Sequence, residues 1–500
     1  VDYNGSLLNT YSVEEFPMVV GESVEQVDLA VVGGGPGGYT AALRAAELGI
    51  KTILIDAQPK PGGVCLHMGC IPSKALLHAA EVINVSGRAK EFGIKFASPE
   101  INVDELRTWK EGVIDKLANG IVGMLKGAKV ERLVGSASFQ DSKSVRVDRY
   151  GENPVRVKFK HCIIATGSRP TKLPKLFKNA ADVDSPLILD STSALALSDV
   201  PKKLLIVGGG YIGLEMGTVY AALGSEVTVV EMMDGLLPGA DRDLVRPLAT
   251  RLAEDFKQIF LSTGVQGLEI KGNKVIASLK GKDVPETMEF DKALISVGRR
   301  PNTDELGLEN TEVEIDQHGF IKVDDTLRTT DKKIFAIGDV SGQPMLAHRA
   351  IRQGIVAAEV IAGKSSSYDN RAVPAVVFTE PEVAWCGLTD TEAREQGIKV
   401  GTAKFPWSAS GRALTLNEPI GQTKILFDPE TTRVLGVGIV GPRAGDLIAE
   451  AVLAIEMGAV LEDLASSIHA HPTLSETINE AALSGMSRLE RKAKEATSAV

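Results

Sequence analysis

The stretch Val27-Asp28-Leu29-Ala30-Val31-Val32-Gly33-Gly34-Gly35-Pro36-Gly37-Gly38 decides the fold of this chain. A short apolar run enters a glycine turn. A helical stretch through Ala46 follows, then a second apolar run, Thr52 to Ile55, closing on Asp56. Strand, glycine turn, helix and strand compose one βαβ unit. Glycines in such a turn allow a tight bend and let a pyrophosphate approach the helix N-terminus, while an acid after the second strand accepts a ribose hydroxyl.

The same grammar returns in mid-chain. Leu204 to Val207 is the strand, Gly208-Gly209-Gly210-Tyr211-Ile212-Gly213 the turn, Leu214 to Leu223 the helix, and Val227 to Val230 the next strand, ending on Glu231. In both copies the acid lies 23 residues after the first glycine. One Gly-x-Gly-x-x-Gly is weak evidence, but two in the same strand–turn–helix context make a specific signal. The pattern predicts an α/β protein with two Rossmann-like dinucleotide-binding domains. Gly33, Gly35, Gly38 and Asp56 would serve one nucleotide; Gly208, Gly210, Gly213 and Glu231 would serve the other. Both acids favour an unphosphorylated ribose. Met232 and Met233 follow Glu231 with no arginine for a 2′-phosphate, so NAD is expected there rather than NADP.

The 500 residues allow two to four domains, with 44% apolar and 24% charged residues as in globular proteins. A formal charge of -10 argues against general binding to nucleic acid or anionic membranes. No apolar run reaches the roughly 18 residues of a membrane-spanning helix. The first 43 residues contain no Lys or Arg, which argues against secretory and transit peptides, and four cysteines are too few for a secreted disulfide scaffold. A cytoplasmic protein is expected.

Two of those cysteines stand in Gly62-Gly63-Val64-Cys65-Leu66-His67-Met68-Gly69-Cys70-Ile71-Pro72-Ser73-Lys74. The pair is read as a loop leading into a helix, with Cys70 near the helix N-terminus, where the dipole favours a thiolate. A zinc site would need two further ligands among Cys162, Cys386 and the seven histidines. Cys162 lies in an apolar strand pattern and Cys386 stands alone, so redox cycling is the stronger reading and no metal is assigned. Two dinucleotides and a dithiol suggest a relay of nicotinamide, flavin and disulfide.

Residues 1–25 form an N-terminal extension of weak pattern. The four prolines between 170 and 201 suggest a domain crossing, and Ile334 to Ile337 runs into Gly338-Asp339. From about residue 371 the texture becomes α+β, with a hairpin over Gln422 to Phe427 and Arg433 to Val440 and a helix from about Gly445 to Met457. His471 suits a base near pH 7, with Glu476 to orient it; Thr473-Leu474-Ser475-Glu476 equally fits a capping box. Lys74 and Glu215 each lie one turn from a cofactor-type loop, which allows an ion pair beside a flavin or two solvated helix residues.

Residues 62–77 (GGVCLHMGCIPSKALL), 165–170 (ATGSRP), 208–217 (GGGYIGLEMG), 298–302 (GRRPN) and 336–340 (AIGDV) resemble, in order, the motifs of the flavin-dependent pyridine nucleotide–disulfide oxidoreductases. The match covers nearly everything after residue 26. Residues 469–476 (HAHPTLSE) resemble more narrowly the members that act on dihydrolipoyl groups. The resemblance implies a homodimer with an FAD-binding domain at 26–175, an NAD-binding domain at 176–302, a central domain at 303–370 completing the FAD site, and an interface domain at 371–500. It implies FAD on the first glycine loop, with Asp56 on the adenosine ribose, Lys74 near the reactive flavin nitrogen, Ala137 near the adenine and Asp339 on the ribitol. Thr166, Gly167 and Ala347 join the cofactor contacts. NAD would take the second loop, Glu231, Val265 and Gly298. The resemblance also favours the Lys74–Glu215 ion pair.

By the same resemblance Cys65 exchanges with the lipoyl thiols, Cys70 faces the flavin, and His471, oriented by Glu476, is the base delivered from the partner subunit. The implied activity is NAD-linked reoxidation of dihydrolipoyl groups. The extension is too short for a lipoyl domain, so those groups would arrive on the acyltransferase component of a 2-oxo-acid dehydrogenase complex or on a glycine-cleavage carrier. An NADPH-linked glutathione-type enzyme would want basic residues where Glu231 stands, and a mercuric reductase an extra cysteine pair beyond Cys386. His67 and Met68 depart from the family's usual Asn and small apolar residue. His67 either alters the thiols or faces solvent.

Overall fold

The first glycine turn leaves the middle of a parallel sheet. In the computed structural model, which describes residues 23–498, the opening unit is β1 (Ser23–Val32), α1 (Pro36–Glu47) and β2 (Thr52–Asp56). β1 pairs in parallel with β2 on one side and with the long β6 (Val155–Ile164) on the other. The full order is β3 (Glu131–Val134), β2, β1, β6, β5 (Ser144–Asp148), β4 (Ser136–Asp141), and strand Ile334–Ala336 adds in parallel along the far half of β6. Both faces of β1 are covered, and Leu29, Ala30 and Val31 are fully buried. That is why it reads as a continuous apolar run rather than an alternating one. β1 begins at Ser23, so the last residues assigned to the extension belong to the sheet; the rest of the extension lies outside the described residues.

Between β2 and β3 run three helices, α2 (Gly63–Met68), α3 (Cys70–Arg88) and α4 (Val103–Gly127). The dithiol is therefore not in a loop: Cys65 sits on a short helix and Cys70 is the first residue of the next. The second unit repeats the plan. Its five parallel strands run in the order Gln258–Phe260, Glu226–Val230, Lys203–Val207, Lys292–Ile295, Ile188–Leu189. The proline-rich stretch holds α5 (Ser191–Ala196), capped by Asp190. α6 (Tyr211–Ala222) begins directly after an extended Gly210, three residues earlier than the apolar pattern suggested.

Residues 303–370 return to the first sheet through strand Ile334–Ala336 and lay helix Ala347–Ile361 against α1. The two helices touch backbone to backbone, since a Cβ on Gly354 would lie 2.5 Å from the Gly37 carbonyl oxygen. The C-terminal unit is a five-stranded antiparallel sheet, with the expected hairpin of Gln422–Phe427 and Val434–Gly441 in it. Helices Ala444–Met457 and Glu476–Ser498 pack on that sheet's core.

A buried ion cluster joins the second unit to this one. Lys424 is 1% exposed and its Nζ lies 2.5 Å from Asp241 and 2.8 Å from each of Asp243 and Asp390. Burial pushes the Asp243 carboxyl up, but hydrogen bonds from Lys404 and Lys424 outweigh it and hold that group down at about 2.

Candidate active site

The first loop is built by steric need. Gly33 has φ +107°, and a Cβ there would meet the Ala165 carbonyl oxygen at 2.2 Å. A Cβ on Gly38 would sit 1.9 Å from the Gly33 oxygen. Gly35 is different: the nearest atom to its added Cβ is 3.9 Å away, so its free side faces open space, as close approach of a phosphate requires. At the end of β2, Asp56 accepts the Gln58 N–H through Oδ1 at 3.1 Å, while its buried Oδ2 has no hydrogen-bond partner. Burial pushes this carboxyl above the ordinary carboxylate range. A buried acceptor left unpaired costs about 1–3 kcal/mol, and a ribose hydroxyl would satisfy it.

The dithiol is seated on that same loop. Gly62 has φ +130°, and its N–H donates to the Gly34 carbonyl at 2.8 Å. Gly63 packs so closely that a Cβ on it would lie 2.6 Å from the Gly35 Cα. These contacts place α2, and with it Cys65, beside the phosphate turn. The Cys65 and Cys70 thiols lie close enough to interact. The interaction with the Cys65 thiol, followed by the nearby Lys74 ammonium, outweighs burial and lowers Cys70 to about 7. The same interaction and burial push Cys65 well up. The reduced pair thus favours one thiolate, stabilised by the neighbouring thiol and by Lys74. Cys162 and Cys386 are buried in two separate cores, which removes them as zinc partners of this pair. His67 is half-buried, and its Nε2–H donates to the Pro61 carbonyl at 3.1 Å. It straps α2 to the segment leaving Asp56.

A cavity of about 510 Å³ runs from the glycine loop to the thiols. Gly33, Gly35, Asp56, Cys65, Cys70 and Lys74 line it, and so do Thr166, Gly167, Glu215, Asp339 and Ala347. Lys74 Nζ bonds both oxygens of the buried Glu215 at 2.9 and 3.1 Å. Phe378 closes the pair from the C-terminal unit: its N–H donates to Glu215 at 3.0 Å and its ring lies 4.4 Å from Lys74 Nζ. Asp339 Oδ2 accepts the Ser168 hydroxyl at 2.5 Å, and Arg299 donates to that hydroxyl at 2.8 Å. Sequence reasoning missed Phe378, Ser168 and Arg299. Arg299 had a signal, as the arginine next to Gly298; Phe378 had none.

Other expected residues stand elsewhere. Gly38 packs behind the turn. Ala137 pairs with Val147 within β4–β5 and does not line the cavity. Gly208, Gly210, Gly213, Glu231, Val265 and Gly298 also lie outside it. Gly208 has φ +108° and Gly210 has nothing within 4 Å of an added Cβ. Glu231 accepts the Gly209 N–H at 2.5 Å and the Met233 N–H at 2.7 Å. His471 is far more exposed, at 79% of its side chain, and its Nδ1 lies 2.9 Å from Glu476 Oε1. Glu476 also accepts the Thr473 N–H, and these contacts hold its carboxyl below the usual range. Only this half of the capping box forms; the Thr473 hydroxyl donates instead to the Ala470 carbonyl.

Two nucleotide turns, an unpaired ribose acceptor and a polarised dithiol define a dinucleotide-linked disulfide oxidoreductase. The model of the pyridine nucleotide-disulphide oxidoreductases matches residues 27–354, and that of their dimerisation domain matches residues 373–482. The chain belongs to this family, whose cofactors are FAD and NAD, and through the dimerisation domain it forms a homodimer. It is 49% identical to a dihydrolipoyl dehydrogenase of Haemophilus influenzae, covering 91% of this chain and 94% of that one. It is 45% identical to dihydrolipoyl dehydrogenase 3 of Haloarcula marismortui, covering 93% and 98%. Among solved structures, LpdA from Mycobacterium tuberculosis superposes with a TM-score of 0.83 at 28% identity, over 91% of this chain and 99% of that one. The HOCl-induced flavoprotein disulfide reductase RclA from Escherichia coli gives 0.80 at 28%, with the same coverage.

The fit of FAD to the first site rests on the unpaired Asp56 oxygen and the open side of Gly35. Among the described residues no helix is long and apolar enough to cross a membrane.

Proposed function

We propose that the chain is an NAD-dependent dihydrolipoyl dehydrogenase acting on protein-bound dihydrolipoyl groups. The observation that carries this reading is the pair itself: Cys65 and Cys70 both line the cavity that suits FAD, with Lys74 beside them; in this reading Cys70 faces the flavin and Cys65 exchanges with substrate. The flavin, when bound, passes an electron pair between the dithiol and nicotinamide. The protein's own residues manage thiols and protons. Oxidised enzyme holds a Cys65–Cys70 disulfide; a substrate thiolate attacks Cys65, and Cys70 leaves as a thiolate. The second substrate thiol then attacks the sulfur bonded to Cys65, releasing a lipoyl disulfide and a reduced pair. Each attack needs a substrate proton removed, and His471 of the partner subunit is the base for it.

Asp56, Lys74, Asp339, Thr166, Gly167 and Ala347 are assigned to FAD, with Ala137 near its adenine. Glu231, Val265 and Gly298 are assigned to NAD. Domain limits of 26–175, 176–302, 303–370 and 371–500, with strand β1 extending the first back to Ser23, are part of the same reading. Its partners are lipoyl-bearing acyltransferase components or a glycine-cleavage carrier in the cytoplasm. Steady-state turnover of dihydrolipoamide with NAD+ and with NADP+ tests the activity; no turnover with flavin bound would sink it. For the base, His471→Gln should lower dihydrolipoamide turnover by about a hundredfold or more, the usual weight of a general base. Turnover near the parental rate would remove His471 from the role.

A further inference from the structure

The loop that carries His471 has a second histidine whose contacts the proposed chemistry does not use. Residues 467–475 join helix Leu461–Ser466 to helix Glu476–Ser498 without regular structure. From Ser466 to Pro472 every residue is exposed except His469. Its neighbour Ile468 is 100% exposed. His469 alone points inward over this stretch, and its side chain is 9% exposed.

Both of its ring nitrogens meet acceptors. Nδ1 lies 3.0 Å from the Ser467 carbonyl oxygen and Nε2 lies 2.8 Å from Glu450 Oε1 on helix Ala444–Met457. A carbonyl and a carboxylate both only accept, so the two contacts form together when each ring nitrogen carries a proton, one N–H donating to Ser467 and the other to Glu450. The imidazole therefore fastens the loop to itself and to the packed helix behind it. Asn479 holds the loop's entry, donating to the Leu464 and Ala465 carbonyls at 2.9 and 2.8 Å. Thr473 and Glu476 hold its exit. Ser467 is tied back to Asp463 and Asn479, and beyond it His469 ties the loop to helix Ala444–Met457, two residues from His471.

We propose that His469, gripped by Glu450, is a positioning residue that fixes the 467–472 loop so that the exposed His471 ring projects in one direction. This rests on the reading of His471 as the base. A base displaced by about 1 Å can lose up to a hundredfold in rate; Glu476 orients the His471 ring through Nδ1, while the His469–Glu450 contact ties down the backbone that carries it.

The test compares His469→Ala, Glu450→Ala and His471→Gln as FAD-loaded dimers. Each is assayed with dihydrolipoamide plus NAD+ and with NADH plus ferricyanide, which draws on flavin but not on a thiol base. His469→Ala and Glu450→Ala should each lower kcat on dihydrolipoamide about tenfold to a hundredfold, leaving its KM and the ferricyanide rate near parental. Parental kcat in His469→Ala, or equal loss in both assays, would overturn the proposal. If His471→Gln keeps parental turnover, the base assignment fails and this inference falls with it. If His471→Gln alone collapses, the base stands and the positioning role is wrong. Should His469→Ala fail to assemble, Glu450→Ala decides by the same criteria.

Discussion

The two glycine loops share a backbone and differ in what their acids do. Gly33 and Gly208 adopt φ of +107° and +108°, and in each loop the third glycine packs on the carbonyl of the first, where a Cβ would come within 1.9 Å at Gly38 and 2.4 Å at Gly213. Asp56 keeps one buried oxygen without a partner, whereas both oxygens of Glu231 already accept N–H groups of their own loop. The first loop opens into the cavity that reaches the thiols; the second lies outside it. A site that is incomplete alone suits a resident nucleotide. A site whose acid is satisfied without a ligand suits a nucleotide that comes and goes.

That contrast can be broken at either acid. Asp56→Ala should weaken FAD binding about thirtyfold to a hundredfold, the roughly 2–3 kcal/mol of a charge-assisted hydrogen bond, as read by flavin release on dilution. Glu231→Ala should do less: the KM for NAD+ should rise about tenfold, near 1.4 kcal/mol, with flavin content unchanged. If Glu231→Ala sheds flavin as Asp56→Ala does, the two sites are not separate. The smallest effect concerns Cys70. Its acidity is lowered to about 7, so the thiolate is present above that pH and is lost as pH falls through it. Thiolate ultraviolet absorbance of the reduced enzyme should follow that midpoint, and ADP-ribose, a redox-inert occupant of the second loop, should leave it in place.

The glycine turns were legible because only glycine meets their geometry, and the acids because strand length places them. The dithiol was legible as chemistry but not as structure. GVCLHM is a short segment whose helix depends on Gly62 and Gly63 packing against Gly34 and Gly35, a tertiary contact that no local periodicity carries. Lys74 and Glu215 are 141 residues apart, so residue types alone left them open until the family motif favoured the pair. Phe378 was invisible for a further reason: it acts through a backbone N–H and a ring face, and neither leaves a sequence signature. His67 was read as tuning the thiols or meeting solvent; its bond to Pro61 makes it a strap.

Lys424 carries a consequence of another kind. Asp241, Asp243 and Asp390 bring three carboxylates close enough to share one cation, and the ammonium of Lys424 already stands among them. The seam between the nucleotide unit and the dimer-forming unit thus brings its own counterion, covalently attached. Its strength does not follow the calcium or magnesium supply of the medium, and a chelator would find nothing there to remove.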